Sequence, residues 1–143
     1  VVRQVTPALV EALEHLLPQL SERLLAPDAE TLRRVVGSPS SVLLVAECGG
    51  CIVGSLTLVW YDVPSGRKAW IEDVVVDAGE RGRGVGRLLV EKALELARSE
   101  GVQHLMLTSN PARRAAHALY RTCGFEEVGS TLFRFDLNKK VDL

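Results

Sequence analysis

Several kinds of sequence feature are scarce in this chain, and each scarcity removes a class of protein. No apolar run approaches the roughly 20 residues that a membrane-spanning helix needs. The first residues lack the basic segment and the uninterrupted apolar stretch of a secretion signal. Neither sign of charge is in excess, because 17 Lys and Arg face 18 Asp and Glu and the formal net charge is -1. We therefore expect a cytoplasmic protein with no membrane or nucleic-acid partner.

Cysteine is also scarce, and its pattern argues against both disulfides and metal. The three cysteines, Cys48, Cys51 and Cys123, are an odd number that does not suit a disulfide framework, so reduced thiols are expected. Cys48 and Cys51 form a single C-x-x-C pair. One pair cannot fill a four-ligand zinc site, and no second pair or neighbouring histidine pair supplies the rest. The sequence therefore predicts no bound metal.

The chain is long enough for one compact domain, predicted over residues 1–143, because it has 143 residues and 47% of them are hydrophobic. Apolar periodicity and turn residues set the predicted elements. In chain order these are a strand (1–5), a helix (7–17), a break (18–27), a short helix (28–36), a hairpin of two strands (41–47 and 51–61), a strand (68–76), a helix (85–101), a strand (102–109), a helix (112–122) and a last strand (131–137).

The stretch ERGRGVGRLL, residues 80–89, joins a predicted strand to a predicted helix. A helix N-terminus has unpaired N–H groups and partial positive charge, so it favours an anion such as a phosphate. A phosphate loop of the G-x-x-x-x-G-K-[ST] type is excluded because Gly86 is followed by Arg87 and Leu88. A dinucleotide G-x-G-x-x-G fingerprint fits poorly and stays a minor alternative. The pattern that remains is R-x-x-G-x-G, filled by Arg81, Gly84 and Gly86.

Together with two further blocks, this pattern resembles the GNAT superfamily of acetyl-coenzyme A-dependent N-acetyltransferases. The first block is the preceding strand IEDVVVD, which is similar to the glucosamine-phosphate and polyamine branches. The second is NPARRAAHALYRTCGF, residues 110–125, which resembles the segment N…A-x-x-L-Y-x-x-x-G-F. The element order also matches. The resemblance implies an α/β (α+β) fold with a central mixed, mostly antiparallel sheet flanked by helices.

The resemblance also implies where acetyl-coenzyme A (acetyl-CoA) would bind. Backbone N–H groups of the loop would hold its pyrophosphate; these belong to Arg81, Gly82, Arg83, Gly84, Val85 and Gly86. The strand that carries Val74, Val75 and Val76 would separate from the strand that ends near Ser109. Its free backbone groups would then bind the pantetheine arm as an added strand would. Asn110 and Arg113 would lie beside the same cofactor.

Two catalytic residues follow from the same resemblance. Glu72 is predicted as the general base that accepts a proton from the amine, often through a water molecule. Asp73 is its neighbour on the strand, so the two side chains are expected on opposite faces, and the base is one of the two. Tyr120 matches the general acid that protonates the departing thiolate, since a phenol is protonated at neutral pH. Cys123 lies close to Tyr120 and leaves an acyl-cysteine mechanism open, although no histidine partner is evident.

The predicted function is transfer of an acetyl group from acetyl-CoA to a primary amine, directly and without a metal. A small-molecule acceptor is favoured over a protein amine, and its pocket is expected between the N-terminal helices and a loop over residues 60–66. Two alternatives remain, a regulatory module that binds acetyl-CoA without turnover and an acyltransferase that uses another acyl group. A homodimer paired through the last strand, 131–137, is expected.

Overall fold

The computed structural model describes residues 1–138, so the last five residues of the predicted domain lie outside the described part. Its sheet has four strands in the order β1-β2-β3-β4: β1 (Ser41–Cys48), β2 (Cys51–Val63), β3 (Gly66–Val76) and β4 (His104–Met106). The pairs β1–β2 and β2–β3 are antiparallel, whereas β3 and β4 are parallel. The predicted mixed, mostly antiparallel sheet is therefore confirmed.

Four helices accompany the sheet: α1 (Pro7–Leu20), α2 (Ala29–Gly37), α3 (Val85–Ser99) and α4 (Arg114–Thr122), with a short 3₁₀ turn at Ala78–Glu80. Side-chain oxygens of Thr6 and Asp28 cap the first two helices, as their positions before Pro7 and Ala29 predict. The third helix connects the parallel strands β3 and β4. Within residues 1–138, none of the helices has both the length and the apolar character required to cross a membrane.

The sheet lies between two helical layers, and two adjacent leucines show this. Leu43 belongs to a cluster with Leu9 and Leu13 of α1 and Leu32 of α2. Leu44 belongs to a second cluster, on the other side, with Val90 and other buried residues of α3. Successive side chains of a strand point to opposite faces, so β1 contributes to both layers. The layer with α3 and α4 is the one that carries the glycine-rich loop and Tyr120.

The N-terminal expectations need two corrections. Residues 1–5 do not form a strand; one backbone bond, from Val2 N to Leu43 O at 2.8 Å, ties them to β1. The break predicted at Pro18 begins later, because α1 continues to Leu20 with Pro18 inside it. A proline in the last turn removes only one hydrogen bond of the helix. The neighbouring Gln19 ties the end of α1 to the residues that follow β3. Its side chain accepts from Ala78 N at 2.9 Å and donates to Asp77 Oδ1 at 3.2 Å.

The later expectations need three corrections. Residues 131–137 form no strand, and their apolar side chains are exposed, Phe133 at 88%. Residues 102–109 form a strand only over His104–Met106. The expected 60–66 loop is mostly strand, because β2 runs to Val63 and β3 begins at Gly66. Its residues line neither of the two cavities of the candidate site, and their part in an acceptor pocket stays a prediction.

Candidate active site

The separation of β3 from β4 creates the candidate site. The pairing of β3 with β4 ends at Trp70 and Met106, although the backbone continues past both residues. Just beyond that point β3 has a bulge, where Asp73 and Val74 lie opposite the single residue Leu56 of β2. Asp73 has a φ of 50°, the left-handed conformation that a bulge can require. The predicted separation of the two strands is therefore present, and β3 has a bulge inside IEDVVVD in the separated segment.

A cavity of about 150 Å³ lies in the gap between the separated strands. Glu72 and Asp73 line one wall, and residues 107–109 line the other. The expectation that the two carboxylates point to opposite faces is wrong. Strict alternation fails at a bulge, and both side chains therefore border the same cavity.

The shared cavity changes the acidity of both carboxyl groups. Partial burial raises the pKa of Glu72, and the negative charge of Asp73 raises it further. Burial also raises the pKa of Asp73. Both effects follow from the cost of placing charge in a partly desolvated site. The cavity thus contains two carboxylates that accept protons more readily than ordinary surface acids do.

A larger cavity, of about 710 Å³, lies between the glycine-rich loop and α4. Gly84 is the N-cap of α3, with a φ of 81° and no side-chain capping bond, so the first N–H groups of the helix are available to a ligand. Predicted site residues from three separate segments of the sequence line this cavity: Val74, Val76, Arg81, Gly82, Gly84, Val85, Gly86, Arg113 and Tyr120.

Two of the three arginines in this stretch are paired with neighbouring carboxylates. Arg83 contacts Glu80 at 2.8 Å, and Arg87 contacts Glu91 at 2.8 Å. The Arg81 guanidinium donates instead to Val76 O at 3.3 Å and lines the larger cavity. Arg81 is therefore the loop arginine best placed to meet an anion in that cavity.

Gly86 has a packing role that the motif did not reveal. A Cβ at this position would lie 3.1 Å from Leu119 Cδ2 and 3.6 Å from Val76 Cγ2. The glycine therefore lets α3 approach α4 closely at the wall of the larger cavity. Gly84 differs, because a Cβ there would meet nothing within 4 Å and its requirement is the positive φ alone.

Tyr120 lies where the two cavities meet, because it lines both of them, as do Val74 and Arg113. The tyrosine is buried to 8% exposure, and its ring packs edge-on against Phe125 with centroids 6.0 Å apart. Burial raises the pKa of the phenol, and Arg113 partly opposes that shift. The phenol is therefore protonated at neutral pH and can donate a proton.

Three predicted cofactor residues do not line either cavity: Val75, Arg83 and Asn110. The Val75 side chain is in the core at 1% exposure, which leaves only its backbone for a ligand. The Asn110 side chain accepts from Ala112 N at 2.9 Å and stabilises the turn before α4. Contact of these three residues with a cofactor stays a prediction.

Sequence reasoning missed Ser109, which lines the smaller cavity opposite Glu72. Its Oγ is buried and has no hydrogen-bond partner among the described residues. Buried hydroxyls almost always have a partner, so this one is available to a bound group. The missed signal was its position three residues past the short strand β4. Leu20, at the end of α1, also lines this cavity.

Neither a metal centre nor an activated Cys123 is evident within the part of the chain that the structure describes. Residues 1–138 contain no group of three or more His, Cys, Asp or Glu side chains that could hold a metal ion. Burial is the main cause that raises the pKa of the Cys123 thiol. A raised pKa keeps the thiol protonated and unreactive, which disfavours an acyl-cysteine mechanism.

Comparison with known proteins gives a consistent family. Residues 7–125 match the acetyltransferase (GNAT) family. N-acetyltransferase 8 of Rattus norvegicus is 32% identical over 105 residues, which are 72% of this chain and 47% of the relative. A probable glucosamine 6-phosphate N-acetyltransferase of Oryza sativa subsp. japonica is 42% identical over 64 residues, 45% of this chain and 37% of that protein. The chain thus spans about half the length, or less, of these curated relatives.

A solved structure supports the same assignment. A putative acetyltransferase from Agrobacterium tumefaciens has a TM-score of 0.75 and 27% identity, covering 91% of this chain and 92% of that one. The sequence motifs, the fold and these similarities agree, and the resemblance stated from the sequence is confirmed. The chain belongs to the acetyltransferase (GNAT) family, whose members are acyltransferase enzymes of the N-acetyltransferase type.

Proposed function

We propose that this chain transfers an acetyl group from acetyl-CoA to a primary amine, with Glu72 as the base and Tyr120 as the acid. One observation carries the proposal: Tyr120 borders both cavities, and Glu72 lies in the smaller one. A reaction that joins two substrates needs two binding spaces with a proton donor between them. This arrangement supplies both.

The larger cavity fits the nucleotide end of acetyl-CoA. The uncapped start of α3 offers backbone N–H groups to a pyrophosphate, and Arg81 adds positive charge beside them. Within residues 1–138, no strand pairs with β3 on the β4 side beyond the bulge. The backbone of Val74 can therefore bind a pantetheine arm, as can that of Val76, whose carbonyl also accepts from Arg81. The family's use of acetyl-CoA makes this the favoured donor.

The proton transfers then follow from two residues. The attacking amine must be uncharged, and Glu72, directly or through one water, takes its proton as the nitrogen bonds to the thioester carbon. A backbone N–H of β3 near Val74 polarises the carbonyl oxygen. The C–S bond breaks, and the Tyr120 hydroxyl gives its proton to the departing thiolate. Direct transfer of this kind needs no acyl-enzyme.

The smaller cavity favours a compact, positively charged acceptor. Its volume is about 150 Å³, and Glu72 and Asp73 both lie on its wall. Two neighbouring carboxylates attract an ammonium group and favour its arrival at the site. A small-molecule amine is therefore preferred over a protein side chain, and we keep a homodimer as an untested expectation.

An acceptor panel tests the function. Purified protein and acetyl-CoA are incubated with amino sugars, polyamines, aminoglycosides, amino acids and lysine peptides, and thiol release is followed. We expect release that depends on one class of amine, with N-acetyl product confirmed by mass spectrometry. If acetyl-CoA binds but no amine class gives product, the protein is a cofactor-binding module. If only another acyl-CoA gives product, the proposed donor is wrong.

Replacing Gly84 by Val should weaken coenzyme A binding by about tenfold or more, or roughly 1.4 kcal/mol. The residue has a φ of 81°, which a β-branched side chain adopts only with strain, so the loop must move away from its anion-binding geometry. Isothermal titration calorimetry gives the Kd. Gly101→Val is the matched control, because Gly101 also has a positive φ, 72°, and open space, but follows the other end of α3. Equal Kd values for the two folded variants would place the pyrophosphate elsewhere.

Replacing Ser109 by Ala should lower kcat/KM for the amine about tenfold without destabilising the fold. The lost hydroxyl has no partner among residues 1–138, so its removal breaks none of the hydrogen bonds that the structure describes, whereas a bound amine or water would lose one. Ser99→Ala, which removes a hydroxyl from the end of α3, is the control and should keep full activity. Unchanged kcat/KM in Ser109→Ala would remove this residue from the acceptor site.

A further inference from the structure

The C-x-x-C pair has a geometry that the proposed reaction does not use. Cys48 ends β1, Cys51 begins β2, and the two residues are paired directly across the strands. The turn between them consists of Gly49 and Gly50, with φ of 58° and 81°, the positive values of a two-residue type I′ turn. Both cysteines are exposed and both thiols are free. The hairpin therefore presents two accessible thiols side by side.

This pairing brings the two cysteines within bonding reach of each other. Residues paired directly in an antiparallel ladder have Cα atoms about 4.5–5.5 Å apart. Disulfides span Cα separations of about 4.4–6.8 Å. A Cβ added at either glycine would meet nothing within 4 Å, so the turn is uncrowded and open to a small reagent. Closure of a disulfide here needs side-chain rotation and little backbone movement.

The surroundings of the hairpin distinguish the two thiols. Arg83 lies close enough to Cys48 to have its own pKa affected by this cysteine, after the larger effects of the Glu80 hydrogen bond and charge. The positive charge of Arg83 favours the approach of an anionic reagent to Cys48. Cys48 is therefore placed to act as the first nucleophile. The same hairpin is bonded to the residue that follows β3, since Val53 O accepts from Asp77 N at 2.8 Å.

We propose that Cys48 and Cys51 form a reversible dithiol–disulfide site whose oxidant is a low-molecular-weight disulfide. The Cys48 thiolate attacks one sulfur of the reagent, which forms a mixed disulfide and releases one thiolate. The Cys51 thiolate then attacks the Cys48 sulfur and expels the second thiolate. The two cysteines lose two electrons, the reagent gains them, and the two cysteine protons end on the two released thiols. A dithiol reductant reverses both steps.

The test uses oxidised glutathione as the probe. Reduced wild-type protein is treated without air, remaining thiols are alkylated, and intact and peptide masses are measured. We expect two cysteines protected from alkylation, no glutathione attached at the hairpin, and a cross-link within the peptide that contains residues 48–51. Dithiothreitol should restore both thiols. Cys123→Ser should give the same hairpin cross-link.

Single substitutions separate closure from ordinary thiol reactivity. Cys51→Ser should keep glutathione on Cys48, because the resolving thiol is absent, and Cys48→Ser should keep it on Cys51 after slower addition. The proposal is overturned if wild-type protein keeps glutathione on a hairpin cysteine as the single variants do. It is also overturned if the hairpin thiols remain reduced while those of the single variants react, or if the disulfide that forms links two chains. All four proteins are compared at the same concentration and pH.

Discussion

Glu72→Gln should lower kcat/KM for a verified amine acceptor by about 10² or more, because the variant cannot accept the proton of the amine. Glutamine has nearly the same shape, so the walls of the cavity change little. Affinity for coenzyme A should stay within a few-fold, since Glu72 does not line the larger cavity. Steady-state kinetics and calorimetry on the same preparations measure the two quantities. Wild-type kcat/KM in this variant would show that Glu72 is not the base.

The pH dependence provides a second readout for the same variant. The base acts only when ionised, so wild-type kcat/KM should fall on the acidic side. Burial and the Asp73 charge raise the pKa of Glu72, so this limb should lie at higher pH than for an ordinary glutamate. Glu72→Gln should lack the limb. A limb that persists in the variant would assign it to another group.

As pH rises, the contribution of Glu72 to folding stability should decrease while its contribution to activity increases. The pKa of Glu72 is higher in the folded protein than in the unfolded chain, so the unfolded chain releases this proton first as pH rises. Folding stability therefore decreases through the interval between the two values and stays lower above it. The glutamine side chain carries no charge, so Glu72→Gln should gain stability relative to wild type through that interval. Urea unfolding at several pH values distinguishes this result from a damaged fold.

Asp73→Asn is the matched control for the choice of base. Both carboxylates line the cavity, but Asp73 has a φ of 50°, a conformation that asparagine also tolerates. If Glu72 is the base, Asp73→Asn should reduce kcat/KM much less than Glu72→Gln and should shift the acidic limb to lower pH, because it removes a neighbouring negative charge. The reverse order of effects would make Asp73 the base.

Tyr120→Phe should lower kcat by about 10² while acceptor binding persists, because the departing thiolate loses its proton donor. The substitution keeps the ring and its edge-on contact with Phe125, so packing is preserved. Stopped assays of thiol release at saturating amine give kcat. Unchanged kcat would remove the acid role from Tyr120.

The chemical nature of the leaving group makes this test specific. A thiol of lower pKa leaves more easily as a thiolate, so the Tyr120→Phe defect should shrink with an acyl donor of that kind. Tyr61→Phe is the control, because that phenol is exposed on β2 and accepts a bond from Trp70 Nε1 at 2.9 Å. Tyr61→Phe should leave kcat unchanged with both acyl donors. If the kcat defect of Tyr120→Phe has the same size with both donors, its cause is structural.

The sequence predicted those parts of the fold that depend on local patterns. The hairpin at Gly49 and Gly50, the capped starts of α1 and α2, and the loop before α3 were all predicted, because turn and cap residues act on their immediate neighbours. The strand over residues 131–137 was wrong for the opposite reason. Its alternating apolar residues have the pattern of a strand, but a strand also needs a partner, and none pairs with it within residues 1–138.

The sequence predicted the motif residues of the candidate site but not the geometry that brings the other residues to it. Tyr120 and the residues of the loop follow from short patterns. Tyr120 borders both cavities, and all the predicted loop residues except Arg83 border the larger one. The bulge at Asp73 depends on the register between β2 and β3, which no single strand reveals, and it places both carboxylates on one cavity. Ser109 became visible only when burial showed a hydroxyl without a partner. Cytoplasmic location, a single domain and a homodimer stay predictions.

Isotopically labelled acetyl-CoA tests the central claim, direct transfer of the acetyl group from the donor to an amine, most directly. The protein is first mixed with [¹³C]acetyl-CoA, labelled in the acetyl group, and then with the amine found by the acceptor panel, and protein, product and free thiol are quantified by mass spectrometry. We predict no label on the protein at either stage, and N-acetyl product and free coenzyme A in equal amounts after the amine is added. Label on Cys123 before the amine arrives, or thiol release without N-acetyl product, would contradict direct transfer.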